Sequence, residues 1–231
     1  MRESVIVEFI GLPGVGKSTL SRAVATELET RGTEVHEPIY ERDTYSTPRR
    51  IASKAQFASR SLIDNPKTTL KTTQCVRQTK QQSLSDFIRV IFNFHYVTGV
   101  TTTFQSQPGV TLLDQGLYQA RWSVGLQSTQ PITEAIKKVD ISAHLTPDLV
   151  VFVEATDETI ANRLTNRTDG DTRFTPNSDA FERARDGYKT IKSQIESDSE
   201  RPNSITIENE TQESLTPNAT RVADVIQSLD K

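Results

Sequence analysis

One short glycine-rich segment constrains the fold of this 231-residue chain more than any other feature. It occupies residues 11–18 with the sequence GLPGVGKS, and it directly follows a β-branched and apolar run at residues 4–10. Such a run ending at a glycine-rich turn is typical of a buried parallel strand. In residues 18–31 the apolar side chains recur at helical spacing. The sequence therefore predicts a strand, a tight loop and a helix in succession, which is the start of a βαβ unit.

The loop has the spacing of a phosphate-binding P-loop, because Gly11, Gly16, Lys17 and Ser18 satisfy the pattern G-x4-G-K-S. Glycine allows the backbone to turn successive N–H groups around phosphate oxygens, and the positive end of the following helix adds to the attraction. We expect the Lys17 ammonium to reach the β- and γ-phosphates of ATP or GTP, and the Ser18 hydroxyl to bind Mg²⁺. The residues predicted to bind the nucleotide are Gly11, Leu12, Pro13, Gly14, Val15, Gly16, Lys17, Ser18 and Thr19.

The remaining patterns predict an α/β chain organised as one domain over residues 1–231. Further strands are indicated by residues 33–38, 110–113 and 148–154, with a weaker one at 204–207. Residues 48–106 carry few strand signals and are predicted to be a helical insertion. The polar, glycine-containing residues 167–176 are predicted to be a mobile lid loop.

Composition excludes several classes of protein. With 27 basic and 30 acidic side chains the net charge is −3, so no global positive field favours nucleic acid. No apolar run approaches the roughly 20 residues that a bilayer span needs, and no secretory signal pattern opens the sequence. The single cysteine, Cys75, excludes a disulfide framework and fits a reducing compartment. We expect a cytoplasmic protein that binds neither nucleic acid nor membranes.

An acidic residue, Asp114, follows the apolar strand pattern at residues 110–113. Ligands of parallel sheets collect at the carboxyl edge of the strands, so Asp114 is a candidate for contact with Mg²⁺ through water. Aspartate at this place is also common as a helix cap or a turn former. Both interpretations remain open from the sequence.

On these motifs the sequence resembles the nucleoside and nucleotide kinase group of P-loop proteins, most closely the thymidylate kinase and deoxynucleoside kinase branch. The resemblance extends over most of the chain in layout but rests on few residues in identity. It implies ATP and Mg²⁺ as cofactors and transfer of the γ-phosphoryl group to a small-molecule acceptor. The residues that carry it are Gly11 to Thr19, Glu37 and Pro38, Leu113 to Gly116, and the pair Arg163 and Arg167.

The resemblance also implies roles for individual side chains. Glu37 stands where the family places an acidic residue that holds or deprotonates the acceptor, with Glu41 as the second choice. Arg163 and Arg167 are four residues apart, so both would project from one helical face toward the nucleotide and close over its phosphates, followed by Arg173. The alternatives are a solvated loop glutamate and a solvated basic surface.

One departure from the family bears on the acceptor. The family commonly has Asp-Arg after the third strand, whereas this chain has Asp114 followed by Gln115. Glutamine cannot neutralise a phosphate, so an uncharged acceptor is favoured unless Arg121 or Arg89 replaces the missing cation.

The acceptor pocket has two candidate locations. One is formed by residues 118–126, and the other is the helical insertion. In the insertion the aromatic residues are more typical of a protein core than of a pocket that stacks a base. We interpret His95 there as a polar helix residue. The aromatic residues in question are Phe87, Phe92, Phe94 and Tyr96.

The sequence as a whole predicts a three-layer P-loop fold with a five-stranded parallel sheet in the order 2-3-1-4-5, acting as an ATP-dependent kinase on a nucleoside or nucleotide. Lys17, Glu37, Asp114, Arg163 and Arg167 are the predicted catalytic residues, and Ser18 with Asp114 the predicted metal ligands. Two alternatives are an ATPase or switch module that acts on a protein partner, and a kinase for a sugar, antibiotic or other metabolite. The oligomeric state is open, with a homodimer as one arrangement.

Overall fold

The sheet topology was established from a computed structural model that describes residues 4–166, 178–197 and 202–229. Five parallel strands form one sheet in the order β2-β3-β1-β4-β5, which confirms the predicted fold and strand order. The strands are β1 (Ser4–Ile10), β2 (Val35–His36), β3 (Gly109–Leu113), β4 (Leu149–Glu154) and β5 (Asn203–Glu208). The predicted lid loop at 167–176, with Arg167 and Arg173, lies outside the described residues.

Helices cover both faces of this sheet. Between β1 and β3 they are α1 (Lys17–Thr30), α2 (Pro38–Asp43), α3 (Thr47–Asp64), α4 (Pro66–Gln78) and α5 (Leu84–Phe104). After β3 they are α6 (Leu117–Leu126), α7 (Ile132–Lys138), α8 (Asp157–Thr165), α9 (Asp179–Ser197) and α10 (Leu215–Leu229), with a short 3₁₀ turn at Ala143–Leu145.

The side chains of the central strand β1 alternate between the two faces of the sheet, and this places a layer of helices on each side of it. Val5, Val7 and Phe9 belong to a buried cluster that includes residues of α1, α9 and α10, whereas Ile6 belongs to a second cluster with residues of α3 and α5. Successive side chains of a strand point to opposite faces, so one strand supplies both clusters. The sheet is therefore covered on both sides, as expected for parallel strands.

The second strand is shorter than predicted. Only Val35 and His36 pair with β3, although residues 33–38 were expected to form a strand. Pro38 lacks a backbone N–H and has the fixed φ that suits the first position of a helix, and it begins α2 there. The chain thus turns into a helix directly after Glu37.

The predicted helical insertion corresponds to α2 through α5, which lie between β2 and β3 in the chain. Helices α3 and α5 pack so closely that a Cβ added at Gly99 would lie 1.9 Å from the carbonyl oxygen of Phe57. Its treatment as an inserted unit within one domain remains a prediction. No helix in the described part of the chain combines the length and the apolar character that crossing a bilayer requires.

Candidate active site

The glycine-rich loop joins β1 to α1 in the conformation that its sequence requires. Gly14 and Gly16 both have a φ of +90°, in the left-handed region that glycine tolerates. Gly11 lies against β4, where an added Cβ would be 2.4 Å from the carbonyl oxygen of Val153. Since Gly16 is the N-cap of α1, the loop ends at the positive end of that helix.

Lys17 and Ser18 begin α1 and face the loop and the neighbouring strand end. The Lys17 ammonium donates to the carbonyl oxygens of Gly11 at 2.8 Å and Leu12 at 3.1 Å, so it lies across the loop. The Ser18 hydroxyl donates to Oδ2 of Asp114 at 2.7 Å. Asp114 directly follows β3, the neighbour of β1, and this places the two predicted metal ligands side by side.

The donor set fits magnesium. Mg²⁺ prefers oxygen ligands and is usually bound by one or two carboxylates together with water and substrate phosphates. Ser18 and Asp114 offer a hydroxyl and a carboxylate next to the phosphate loop. Within residues 4–166, 178–197 and 202–229 no group of three or more His, Cys, Asp or Glu side chains could hold a metal by itself. The arrangement therefore suits a metal ion that arrives with a nucleotide.

Glu37 lies in a small cleft beside these residues, because β2 ends next to β3. Its carboxylate forms an ion pair with Arg22 of α1, whose guanidinium carbon stacks 3.7 Å from the centroid of the Tyr40 ring. Burial raises the pKa of Glu37 above its usual range, against the opposite effect of Arg22. The residues that line the cleft are Ser18, Ser21, Arg22, Glu37, Tyr40, Leu112 and Asp114.

Arg163 contacts the phosphate loop through backbone carbonyls. From α8 its guanidinium donates to Val15 at 3.1 Å and, more weakly, to Gly14 at 3.4 Å, and also to Asn209 at 2.9 Å and Glu210 at 3.0 Å. The predicted position next to the loop is thus observed. These bonds join the loop to the segment that follows β5. The role of Arg163 that they indicate is to support the loop, whereas the sequence predicted a role in closing over the phosphates.

A groove of about 200 Å³ opens on this side of the loop. Gly14, Gly16 and Thr19 form one wall, and Arg163 with the residues after β5 forms the other. Its lining is completed by Asn209, Thr211, Gln212 and Leu215.

Neither proposed substitute for the missing family arginine reaches the cleft. Gln115 is exposed. The Nε of Arg121 donates to the carbonyl oxygen of Ile136 at 2.9 Å, at the end of α7, and Arg89 pairs with Asp86 of its own helix. The second-choice acid, Glu41, is also exposed.

Two of the four aromatic residues named for the insertion are buried in the core, and Phe87 is half-buried against it. Phe94 and Tyr96 are each 2% exposed, while Phe92 is 40% exposed on the outer surface. His95 bonds to the hydroxyl of Thr73 at 3.1 Å, as expected for a polar helix residue. The predicted preference for a core role over base stacking agrees with this placement.

Three residues near the site were not identified from the sequence. Arg22 pairs with Glu37, and Asn209 donates from its side-chain amide to the carbonyl oxygen of Val15 at 2.9 Å. Glu8 is 1% exposed in the middle of β1 and contacts the start of α6. An acidic residue inside an otherwise apolar strand was the available signal for Glu8. No local sequence pattern pointed to Arg22 or Asn209, because their partners, Glu37 and Val15, lie elsewhere in the chain.

Comparison with known proteins places this fold among kinases of known structure. No protein-family model matches the sequence, and no curated protein matches it. Deoxyadenosine kinase from M. mycoides with bound dCTP is similar in structure, with 13% identity, a TM-score of 0.55 and coverage of 96% of this chain and 100% of that one. The complex of the same enzyme with dATP is 12% identical, with a TM-score of 0.52 and coverage of 95% of this chain and 100% of that one. Thymidylate kinase from Ehrlichia chaffeensis is 14% identical, with a TM-score of 0.50 and coverage of 97% of this chain and 98% of that one. The chain therefore has the fold of the P-loop nucleoside and nucleotide kinases, as the sequence resemblance predicted.

Proposed function

We propose that this protein is an ATP-dependent phosphotransferase that transfers the γ-phosphoryl group to a hydroxyl of a small acceptor, with a nucleoside as the first candidate. The observation that carries the proposal is the convergence of Ser18, Asp114 and Glu37 on one cleft beside the P-loop. Phosphoryl transfer needs a phosphate cradle, a metal position and a carboxylate near the acceptor, and these are the three parts that meet there.

Each part of this site has a separate task. The amides of residues 11–16 and the N-terminus of α1 bind the phosphates, and Lys17 neutralises their charge. Ser18 and Asp114 would hold Mg²⁺, which supplies charge neutralisation at the transferred group. Glu37 accepts the proton of the acceptor hydroxyl, and a pKa raised by burial makes it a better base near neutral pH. Arg163 keeps the loop in shape for these contacts.

The groove between the loop and the segment after β5 is our proposed site for the nucleotide base. It adjoins Gly14, Gly16 and Thr19, so a base linked to phosphates in the loop can reach it. The side chains of Thr211 and Gln212 line it and offer hydrogen bonds to a base edge. We propose ATP as the donor on this basis.

The acceptor side favours an uncharged molecule. Gln115 carries no charge, Arg121 and Arg89 are engaged elsewhere, and the cation in the cleft, Arg22, is paired with Glu37. A monophosphate would therefore have to compete with Glu37 for its counter-charge. A neutral nucleoside hydroxyl avoids this competition.

The experiment that tests the function is a screen of nucleosides, deoxynucleosides and their monophosphates for stimulation of Mg²⁺-dependent ATP consumption. A kinase consumes ATP slowly alone and much faster with its acceptor. Stimulation by a monophosphate but by no nucleoside would contradict the neutral acceptor. If no compound stimulates while a basal ATPase rate persists, the switch module on a protein partner replaces the kinase, and sugars or other metabolites are the next acceptors to test.

For the assembly, we propose a homodimer through an apolar groove between α3 and α5. The groove has a volume of about 320 Å³, and its lining has no acidic or strongly basic residue. Burial lowers the pKa of His95, the titratable residue of the lining, so its neutral form is favoured at neutral pH. Exposed apolar patches mark interaction surfaces, and an uncharged face can meet its own copy across a two-fold axis without like-charge repulsion. Light scattering should give a dimer that Ile88→Glu converts to monomer, and a monomeric wild type would contradict it. The lining residues are Ala55, Ala58, Ser59, Leu62, Phe87, Ile88, Ile91, Phe92 and His95.

A further inference from the structure

Glu8 is a buried carboxylate that caps a helix. It is 1% exposed in the middle of β1. Its Oε1 accepts the backbone N–H of Gln119 at 2.8 Å, and Oε2 accepts that of Tyr118 at 3.1 Å. A Cβ on Gly116 would lie 2.3 Å from the Cδ of Glu8, so only glycine allows the carboxylate to come this close. The first amides of α6 therefore find their acceptor in a neighbouring strand.

Helix α6 is connected to the phosphate site at its N-terminal end. The turn that enters the helix begins with Asp114, whose carboxylate accepts the hydrogen bond from Ser18 at 2.7 Å. In the first turn of the helix, Oε1 of Gln119 accepts the N–H of Gly11, the first residue of the P-loop, at 3.5 Å. The start of α6, to which Glu8 is bonded, is thus linked to the phosphate site through Asp114 and through Gln119.

We propose that Glu8 is a positioning residue that holds the Asp114 turn where Ser18 and Asp114 together can bind the magnesium ion of a nucleotide. The inference rests on the proposed function, because it concerns the metal position of that same site. The hydrogen bonds of Glu8 go to backbone amides of α6 and not to Ser18 or Asp114. Glu8 acts through the backbone of residues 116–119.

The surroundings of Glu8 make this support sensitive to pH. Burial raises its pKa to about 7, and the backbone amides of residues 116–119 act in the opposite direction. In the part of the chain that the structure describes, no charged side chain bonds to it. Leu113 and Val150 flank it on β3 and β4, and Tyr118 is the titratable residue in the first turn of α6. The carboxylate accepts both amide bonds, whereas protonation converts one oxygen into a donor, so the turn should be held better as pH rises from about 6 to about 8.

The test compares Glu8→Gln with a matched control. Glutamine keeps the shape but presents an NH₂ group to amide donors. The control is Asp148→Asn, because Oδ2 of Asp148 also accepts a backbone N–H of β1, that of Ile6 at 2.9 Å, away from the phosphate loop. Calorimetry measures the affinity for ATPγS with MgCl₂ and with EDTA, and the ratio of the two is the magnesium gain. ATPγS is chosen because its terminal thiophosphate is ionised throughout this pH range.

We expect Glu8→Gln to reduce the magnesium gain about tenfold at pH 8, as for other residues that orient metal ligands, and Asp148→Asn to leave it within about twofold. The gain of the wild type should rise between pH 6 and pH 8, and that of Glu8→Gln should not. If the Glu8→Gln variant is folded and its magnesium gain equals that of the wild type, the inference is overturned. If that variant does not fold, a flat wild-type profile overturns it. If the wild type binds ATPγS in neither buffer, the proposed function itself fails, which is a distinguishable result.

Discussion

Replacement of Arg163 by alanine should weaken the phosphate loop and the fold together. Three of its hydrogen bonds, to the carbonyl oxygens of Val15, Asn209 and Glu210, are between 2.9 and 3.1 Å, and the fourth, to Gly14, is 3.4 Å. A net contribution of about 1 kcal/mol for each of the three shorter bonds gives a loss of roughly 2–3 kcal/mol in the free energy of unfolding. For a chain of this size that lowers the Tm by roughly 5–10 °C.

The same change should also reduce the affinity for ATP with Mg²⁺ about tenfold, because the loop carbonyls lose the group that holds them beside β5. Arg183→Ala is the matched control. The guanidinium of Arg183 donates to the carbonyl oxygens of Gly125, Ser128 and Gln130 at 2.7–2.8 Å. These carbonyls lie at the C-terminal end of α6 and in the loop after it, at the end of the helix away from the phosphate loop. It should therefore lose similar stability without losing affinity.

Thermal unfolding monitored by circular dichroism and calorimetric titration with ATP and MgCl₂ measure the two quantities for each variant. The reasoning is refuted if Arg163→Ala loses stability yet binds ATP as the wild type does, since the bonds would then not shape the loop. Equal losses of affinity in the two variants would also refute it, because the effect would then follow general destabilisation.

Three other changes test separate parts of the structure. Burial raises the pKa of Glu8 from 4.5 to about 7, because the cost of burying the charge exceeds what the amide bonds of the carboxylate return. Its contribution to the free energy of unfolding is therefore greatest below about pH 4.5 and falls by roughly 3 kcal/mol as pH rises to 7, even though the ionised carboxylate holds the turn by two bonds, and denaturant titrations should show a smaller loss over this range in Glu8→Gln. Glu37→Gln should lower kcat about 100-fold and leave the KM for ATP unchanged, and steady-state kinetics should show that it removes the rise in rate with pH that ionisation of Glu37 gives the wild type. Gly99→Ala should lower the free energy of unfolding by about 2 kcal/mol or more, because the new Cβ would lie 1.9 Å from the carbonyl oxygen of Phe57; an unchanged Tm would show that α3 and α5 are less tightly packed than described.

The elements that the sequence predicted well are those whose signal is local. The P-loop pattern at residues 11–18 has a fixed spacing between a strand and a helix, and the apolar run of β4 permits little besides a buried strand. The position of Asp114 next to Ser18 follows from the same logic, because the carboxyl ends of parallel strands share one edge.

The parts that the sequence predicted less well depend on contacts between distant residues. The strand at residues 33–38 was overestimated because Pro38 begins a helix, and helix α6 was not predicted because its N-cap acceptor is the side chain of Glu8, about 110 residues earlier in the chain. Arg163 lies beside the P-loop, as expected, but its bonds to the carbonyls of Asn209 and Glu210 depend on where β5 ends. No periodicity within α8 contains that information.

The central claim is that the segment from Gly11 to Ser18 binds the phosphates of a nucleotide, with Lys17 as its cation. The most direct test is calorimetric titration of the wild type and of Lys17→Ala with ATP and MgCl₂, with circular dichroism to verify that both are folded. We predict clear binding by the wild type and a loss of affinity of at least about tenfold in the variant, since a charged contact to phosphate contributes about 1.5–3 kcal/mol. Equal affinity in the two folded proteins, or no binding by the wild type, would contradict the account.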